Sequence, residues 1–356
     1  MPTYQRAVFI CRAQPVHIGH LHLMQAALDE AEKLIVLIGS AFRAATPKNP
    51  WSYEQRVRLI SDALRDFAGE TNEGWTDAPA ASILDRVQFA PLRDYLYNDY
   101  RWASEVTARA RILGAADDPS TLLIGSYKDD SSYYLDLFQH WHFREMPLEK
   151  SDGHIIDATD VRIATFEGAP FPPVLMPSTM KAVYEWSHSE SGTHIIREYD
   201  YITKQQAKWA DSPYPVLFTT VDALVVCSGA VLLVKRRFHP GKGLWALPGG
   251  YVRPTETLEA GARRELREET KVLVPQDELR ASFRRAQTFD HPRRSERGRI
   301  ITHAHLYDLG VRSLPQVKGA DDAEIARWLP LADVLQMEDQ LFEDHFDIIM
   351  SMVSAY

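Results

Sequence analysis

The sequence predicts an α/β protein of two domains: an N-terminal open, mostly parallel sheet and a C-terminal α+β domain with a mixed sheet. Three observations carry this. At 356 residues the chain is long for a single core. Its first half alternates short apolar runs with helix-period segments, the pattern of βαβ units. Its texture changes near residue 190, where turn-rich stretches, "SESGTH" and "DSPYP", precede a new run of strands.

The elements follow in order. "AVFIC" (7 to 11) reads as a buried strand. "GHLHLMQAALDEAEK" (19 to 33) places Leu21, Met24, Ala27, Leu28 and Ala31 on one helical face, and "LIVLIGS" (34 to 40) is a second buried strand. "WSYEQRVRLISDALRDF" opens with Ser52 and Gln55 at capping-box spacing and continues as a helix. "VQFAPL", "TLLIGS" and "REMPLE" are further strand candidates, with helices expected around 101 to 112, 131 to 139, 160 to 167 and 178 to 188. A linker is expected over 189–213, between domains at 1–188 and 214–356. Beyond it, "VDALVVCSGAVLLVKRR" reads as a hairpin turning at Ser228-Gly229, then come a strong helix over 257 to 270, more strands and a C-terminal helix.

Composition narrows the function classes. A net charge of -9 argues against a nonspecific nucleic-acid binder. No apolar run approaches membrane-spanning length, and the start lacks the features of a signal peptide. The two cysteines, Cys11 and Cys227, lie in apolar runs, so reduced, packed thiols and a cytoplasmic protein are expected. Homo-oligomerisation is left open.

"RAQPVHIGH" (12 to 20) follows the first strand and feeds a helix N-terminus. In parallel sheets that position binds phosphates, because free N–H groups and the helix dipole favour an anion. Gly19 allows close approach to the backbone, His17 and His20 offer ring N–H donors, and Arg12 adds a fixed positive charge. The alternatives are a plain helix start with polar histidines, or a zinc site using Cys11, His17, His20 and His22 that lacks a second close cysteine pair. Downstream, "IDATDVR" (156 to 162) puts Thr159 where it caps a helix and Arg162 one turn on.

These residues resemble the archaeal-type nicotinamide-nucleotide adenylyltransferases, whose motifs are GRFQPxHxGH and ISxTxxR. Cys11, Ala13 and Asp157 stand where that family has Gly, Phe and Ser. The resemblance implies a Rossmann-like nucleotidyltransferase domain using ATP and nicotinamide mononucleotide, with Arg12, His17, Gly19, His20, Thr159 and Arg162 at the ATP phosphates. It also implies Trp102 stacking on the nicotinamide ring, with a core tryptophan as the plain alternative, and Lys128 and Asp129 near the nucleotides, with a solvated turn as theirs.

"GGYVRPTETLEAGARRELREETKV" (249 to 272) sets Glu265, Glu268 and Glu269 on one helix face, where like charges repel unless a hard cation joins them. The stretch resembles the Nudix box, G-x5-E-x7-R-E-U-x-E-E-x-G-U. Gly250, Glu256, Arg264, Glu265, Leu266, Glu268, Glu269 and Val272 match it, and Lys271 replaces its last glycine. The box glycine takes a left-handed backbone at the helix end, and Lys271 would cost about 1 kcal/mol there if it kept that backbone, which puts the loop geometry in question. The resemblance implies metal-dependent hydrolysis of a nucleoside diphosphate derivative, with Mg²⁺ or Mn²⁺ held by Glu265, Glu268, Glu269 and the Gly250 carbonyl. Arg264 would orient a glutamate, Glu256 would brace the loop, and Glu324 is the candidate base.

Chains that join these two domains form a bacterial family whose second activity is ADP-ribose pyrophosphatase. A non-catalytic sensor domain and a different phosphate acceptor are the competing readings.

Overall fold

The computed structural model describes residues 2–70, 83–151 and 153–353. Their contacts divide the chain into two compact units that meet between Ile196 and Arg197.

The first unit is built on strands β1 (Tyr4–Cys11), β2 (Ala31–Ile38), β3 (Val87–Pro91), β4 (Thr121–Gly125) and β5 (His142–Glu145). They lie in the order β3-β2-β1-β4-β5, and every pairing is parallel. Helices α1 (Ile18–Glu30), α2 (Tyr53–Glu70) and α3 (Asp99–Ile112) connect them. The order reverses about β1, so the C-terminal ends of β1 and β4 flank the crevice where such sheets take ligands. β1 from Ala7 to Ile10 and β2 from Leu34 to Ile38 are apolar and buried because parallel strands under crossover helices are covered on both faces.

Helix α1 buries Leu21, Met24, Ala27 and Leu28, as its period predicts. It ends earlier than expected: Ala31, Glu32 and Lys33 belong to β2, where Ala31 pairs with Tyr4 and Lys33 with Arg6. Pairing with β1 overrides the helical preference of these residues. The capping box at Ser52 is present, with Ser52 N donating to Gln55 Oε1 at 2.8 Å and Gln55 N to Ser52 Oγ at 3.3 Å. The helix expected near 131 to 139 is a 3₁₀ run, Asp130–Phe138. Only the start of "REMPLE" is strand, since β5 ends at Glu145 and Pro147 has no N–H to continue the ladder. A small hairpin follows, β6 (Lys150–Ser151) with β7 (His154–Ile155), and then helices α4 (Ala158–Glu167) and α5 (Pro177–Ser187).

Most of the stretch expected as a linker is helical: residues Glu190–Ala207 form an 18-residue helix, α6. Ser189 Oγ accepts from Gly192 N at 3.1 Å, so the turn-like "SESG" is a helix start. A Cβ on Gly192 would lie 2.0 Å from the Trp186 carbonyl, so this glycine permits close packing of successive helices.

The second unit carries a seven-stranded mixed sheet. Its strands are β8 (Leu217–Cys227), β9 (Ala230–Arg236), β10 (Trp245–Ala246), β11 (Gly249–Tyr251), β12 (Phe283–Phe289), β13 (Arg299–Asp308) and β14 (Ala323–Pro330). β8 and β13 are parallel, and the other pairings are antiparallel. The β8–β9 turn falls at Ser228 and Gly229, with φ of 48° and 77°, the double left-handed step of a tight hairpin. Helix α7 (Leu258–Thr270) places Leu266 in a core with Ala223, Val225, Leu232 and Tyr307. Helices α8 (Gln276–Ala281), α9 (Leu331–Val334) and α10 (His345–Val353) complete the unit. Both cysteines are free, and no helix among the described residues is long and apolar enough to cross a membrane.

Candidate active sites

In the first unit, the loop after β1 turns into α1 with His17 as its N-cap residue. The imidazoles of His17 and His20 lie 3.8 Å apart, centre to centre. His17 N donates to His20 Nδ1 at 3.3 Å, which leaves the proton of a neutral His20 on Nε2. Burial lowers the His20 pKa to about 4, and burial followed by the neighbouring His20 lowers that of His17 well below the usual imidazole value. Both rings are therefore neutral donors at pH 7. A Cβ on Gly19 would meet the His17 ring at 3.2 Å, so the ring itself occupies the space over Gly19 that the sequence suggested for a phosphate.

The second motif packs onto this loop. Arg162 is buried, and its Nη1 donates to the Gln14 carbonyl at 2.6 Å. Thr159 is not the cap of α4. Asp157 is, accepting from Thr159 N at 2.8 Å, while Thr159 Oγ1 accepts from Arg162 Nη2 at 3.0 Å. The aspartate carboxylate reaches the second N–H from the cap position, which frees Thr159 to hold the arginine. Lys128 Nζ pairs with the Asp157 carboxylate, and hydrogen bonds from Lys128 and Thr159 outweigh burial and hold Asp157 down at about 2. Arg12 and Asp129 are exposed. Trp102 packs edge-on to Tyr134 and tilted against Phe138, 5.4 and 5.8 Å between centres, at the margin of the core. His22 faces Glu149 at 3.0 Å.

Sequence reasoning missed Arg56. It is 1% exposed, and its guanidinium donates to the carbonyls of Arg12, Gly39, Ser40 and Ser52 at 2.8, 2.7, 3.2 and 3.3 Å. One side chain of α2 thus fastens the loops that leave β1 and β2. Its only trace in the sequence is an arginine among the first residues of a capped helix.

In the second unit, α7 begins at Thr257, whose hydroxyl accepts from Ala260 N, and ends at Lys271 with φ 47° and ψ 31°. Lys271 therefore keeps the left-handed backbone of the box glycine, which settles the loop geometry that its substitution had put in question. Arg264 is the hub of the acidic face. It makes a bidentate pair with Glu256 at 2.6 and 2.9 Å, and also donates to Glu265 Oε1 at 2.6 Å and Glu268 Oε2 at 2.9 Å. Hydrogen bonds from Arg264 are the main cause holding Glu256 down at about 2. Glu269, 7% exposed, accepts from Gly249 N at 3.2 Å. Burial, then the nearby Glu265, pushes its pKa up to about 8; burial also raises Glu265.

A Cβ on Gly250 would sit 2.6 Å from Glu265 Oε1, so the glycine lets the carboxylate lie directly on the strand. Three carboxyl groups on one helix face, one buried and two partly buried, are all hard oxygen donors and fit Mg²⁺ or Mn²⁺. Glu324 is exposed, at the start of β14. Asp322, two positions earlier and passed over by sequence reasoning, lies close enough to contribute a minor electrostatic effect on both Glu269 and Arg236.

A doubly wound parallel sheet with a histidine-lined loop after its first strand, and a mixed sheet carrying a glutamate-rich helix, together define a two-part nucleotide-processing enzyme. Residues 8–81 match the cytidylyltransferase-like family and residues 217–351 the NUDIX domain. The nicotinamide/nicotinic acid mononucleotide adenylyltransferase of Acinetobacter baylyi is 30% identical over 200 residues, 56% of this chain and 95% of that protein. The ADP-ribose pyrophosphatase of Methanocaldococcus jannaschii is 33% identical over 129 residues, 36% of this chain and 69% of that protein. The crystal structure of a bifunctional NMN adenylyltransferase/ADP ribose pyrophosphatase from Francisella tularensis superimposes with a TM-score of 0.89 at 33% identity, covering 99% of each chain. A second structure from that organism, complexed with AMP and Mn ion, gives 0.88 at 31%, again covering 99% of each chain. The chain belongs to this family of bifunctional NMN adenylyltransferase/ADP-ribose pyrophosphatases.

Proposed function

We propose that the chain is a bifunctional enzyme of NAD metabolism. Its first unit transfers the adenylyl group of ATP to nicotinamide mononucleotide, giving NAD and pyrophosphate. Its second hydrolyses ADP-ribose to AMP and ribose 5-phosphate. The observation that carries this reading is the presence of both residue sets, each assembled in its own unit, in a chain whose fold matches a bifunctional relative over its full length.

In the transfer step the mononucleotide phosphate attacks the α-phosphorus of ATP, and negative charge builds on the departing pyrophosphate. Positioning and charge stabilisation then dominate the catalysis. His20 Nε2–H, the His17 ring, the α1 N-terminus and the Arg12 and Arg162 guanidiniums supply donors around the phosphates. Lys128, Asp129 and Thr159 shape the nucleotide pocket, and Trp102 offers its face to the nicotinamide ring.

In the hydrolytic unit, Glu265, Glu268, Glu269 and the Gly250 carbonyl hold the divalent ions, Mg²⁺ or Mn²⁺. When bound, such ions neutralise the diphosphate and acidify water. Arg264 fixes Glu265 and Glu268 against their repulsion, and Glu256 anchors Arg264. Either Glu324 or Asp322 takes the proton of the attacking water. The expected compartment is the cytoplasm.

The test is a substrate panel on the full chain: NAD formation from ATP and mononucleotide, and AMP release from ADP-ribose with Mg²⁺ or Mn²⁺. His20→Ala should abolish only the first, and Glu269→Gln only the second. Binding of ADP-ribose without turnover would make the second unit a sensor and refute the hydrolase half.

A further inference from the structure

Leu247 and Pro248 link β10 to β11, the strand whose Gly250 carbonyl the hydrolase reading gives to the cation. Proline has no N–H, so Leu247 carries the main-chain donor of this link. Leu247 is 2% exposed, and a buried N–H needs a partner. That partner is a side chain from the far end of the unit: Leu247 N donates to His345 Nδ1 at 2.8 Å. The Pro248 carbonyl is held separately, accepting from Ala223 N of β8 at 2.8 Å.

His345, the first residue of α10, is itself fixed. Its neighbour Asp344 accepts from Arg294 Nε and Nη2 at 2.9 and 2.7 Å, and both of these side chains are buried. Phe342 N donates to the Trp245 carbonyl at 2.8 Å, which lays the segment before α10 beside β10. An accepting Nδ1 leaves the imidazole proton on Nε2, which faces Asp222 Oδ1 at 3.9 Å. The other oxygen of Asp222 accepts from Thr302 Oγ1. The proposed hydrolysis uses none of these groups directly.

β11 has little room to shift. A Cβ on Gly249 would lie 2.3 Å from Asp222 Oδ1, and one on Gly250 2.6 Å from Glu265 Oε1. Gly249 N also donates to Glu269 Oε2 at 3.2 Å. The strand is thus pressed between carboxyl groups, and in so close-packed a place a displacement at Leu247 passes on to Gly249 and Gly250.

We propose that His345 is a positioning residue for the divalent cation: by accepting from Leu247 N it fixes the Gly250 carbonyl and the Gly249 N–H that orients Glu269. It acts through the main chain and touches neither ion nor substrate. The proposal rests on the hydrolase reading. The C-terminal segment thereby sets the affinity of a cation site whose ligands all lie before α8.

The experiment titrates Mn²⁺ into the full chain by calorimetry, without nucleotide, for the unaltered protein, His345→Gln and His345→Leu, with Glu269→Gln as the variant that lacks the site. Glutamine keeps an acceptor and leucine does not. His345→Leu should bind Mn²⁺ about tenfold more weakly, the scale of losing a partner that orients a metal ligand. His345→Gln should bind close to the unaltered protein. Added Mn²⁺ should bring ADP-ribose cleavage by His345→Leu back toward the parent rate. A His345→Leu protein that melts lower yet binds Mn²⁺ as the parent does has lost stability alone, and overturns the proposal. If leucine prevents folding, His345→Asn takes its place: its shorter amide stops short of Leu247 N, so it should bind Mn²⁺ more weakly than His345→Gln, and equal affinities overturn the proposal. Mn²⁺ binding that Glu269→Gln does not weaken overturns both the cation site and the role of His345. An unaltered protein that binds Mn²⁺ through Glu269 but leaves ADP-ribose uncleaved refutes the hydrolase reading, and the Mn²⁺ comparison still decides the role of His345.

Discussion

Arg162 Nη1 lies 2.6 Å from the Gln14 carbonyl, which joins two motifs 148 residues apart in the chain. The contact orients a buried cation beside the loop that carries His17 and His20, and Thr159 Oγ1 steadies its other arm at 3.0 Å. Arg162→Lys keeps a charge but loses the planar fork that serves two acceptors at once. Adenylyl transfer should fall at least about 100-fold in kcat/KM, on the scale of removing one aligned charge donor. ADP-ribose cleavage, measured on the same preparation, should persist. Equal loss of both activities would indicate general damage and refute the assignment.

Arg56 offers a test of architecture. Its guanidinium serves four main-chain carbonyls, at least three of which have left the regular strand ladder. Arg56→Met fills much of the volume but leaves those acceptors without their donor. Each unsatisfied buried group costs about 1–3 kcal/mol. The variant should unfold at a clearly lower urea concentration, and its adenylyl transfer should weaken as the phosphate loop loosens. A midpoint within error of the parent would show that solvent replaces the guanidinium without cost.

The contrast between Arg162 and Arg56 shows what the sequence makes legible. Arg162, Glu265 and Glu269 belong to short motifs whose spacing maps directly onto one helical turn, so their grouping is a local property. The Ser228-Gly229 hairpin and the left-handed Lys271 are local in the same sense. Arg56 acts through carbonyls that only the folded sheet brings together. The start of β2 at Ala31 and the close approach of Gly192 to Trp186 are likewise set by packing between elements.

Gly250 tests the carboxylate geometry directly. Added side-chain bulk there would lie 2.6 Å from Glu265 Oε1, closer than real contacts allow. Gly250→Ala should push Glu265 off the strand and weaken divalent-cation binding, with hydrolysis reduced about 10-fold or more even at saturating ADP-ribose. Titration with Mn²⁺ followed by calorimetry measures the affinity. Glu269→Gln makes the complementary case. It replaces a buried carboxyl whose ionisation burial and Glu265 oppose, so the metal-free variant should melt no lower than the parent, yet gain little from added Mn²⁺. A lower melting temperature without metal would contradict the picture of Glu269 as a carboxyl whose charge only a bound cation supports.

His345 supplies the pH dependence. It is buried, its Nδ1 accepts from Leu247 N at 2.8 Å, and its Nε2 faces Asp222 Oδ1 at 3.9 Å. Burial, reinforced by the positive charge of Arg294, lowers its pKa to about 3. The folded form is therefore neutral where an unfolded histidine, near 6.5, takes up a proton. Between those two values the unfolded chain binds more protons, so stability falls as pH drops from about 6.5 toward 3. Asp222 works in the opposite sense: burial raises it to about 6, so the folded state holds that proton more tightly between about 3.8 and 6 and gains stability on acidification. Glu269, raised to about 8, adds to that gain across the same range, so the histidine's share is read as a difference between two proteins. From pH 7 to pH 5 the urea midpoint of the second unit should rise less, or fall more, in the parent than in His345→Gln, which keeps an acceptor for Leu247 N but does not titrate. Parallel midpoints in the two proteins across this range would place the acid sensitivity elsewhere.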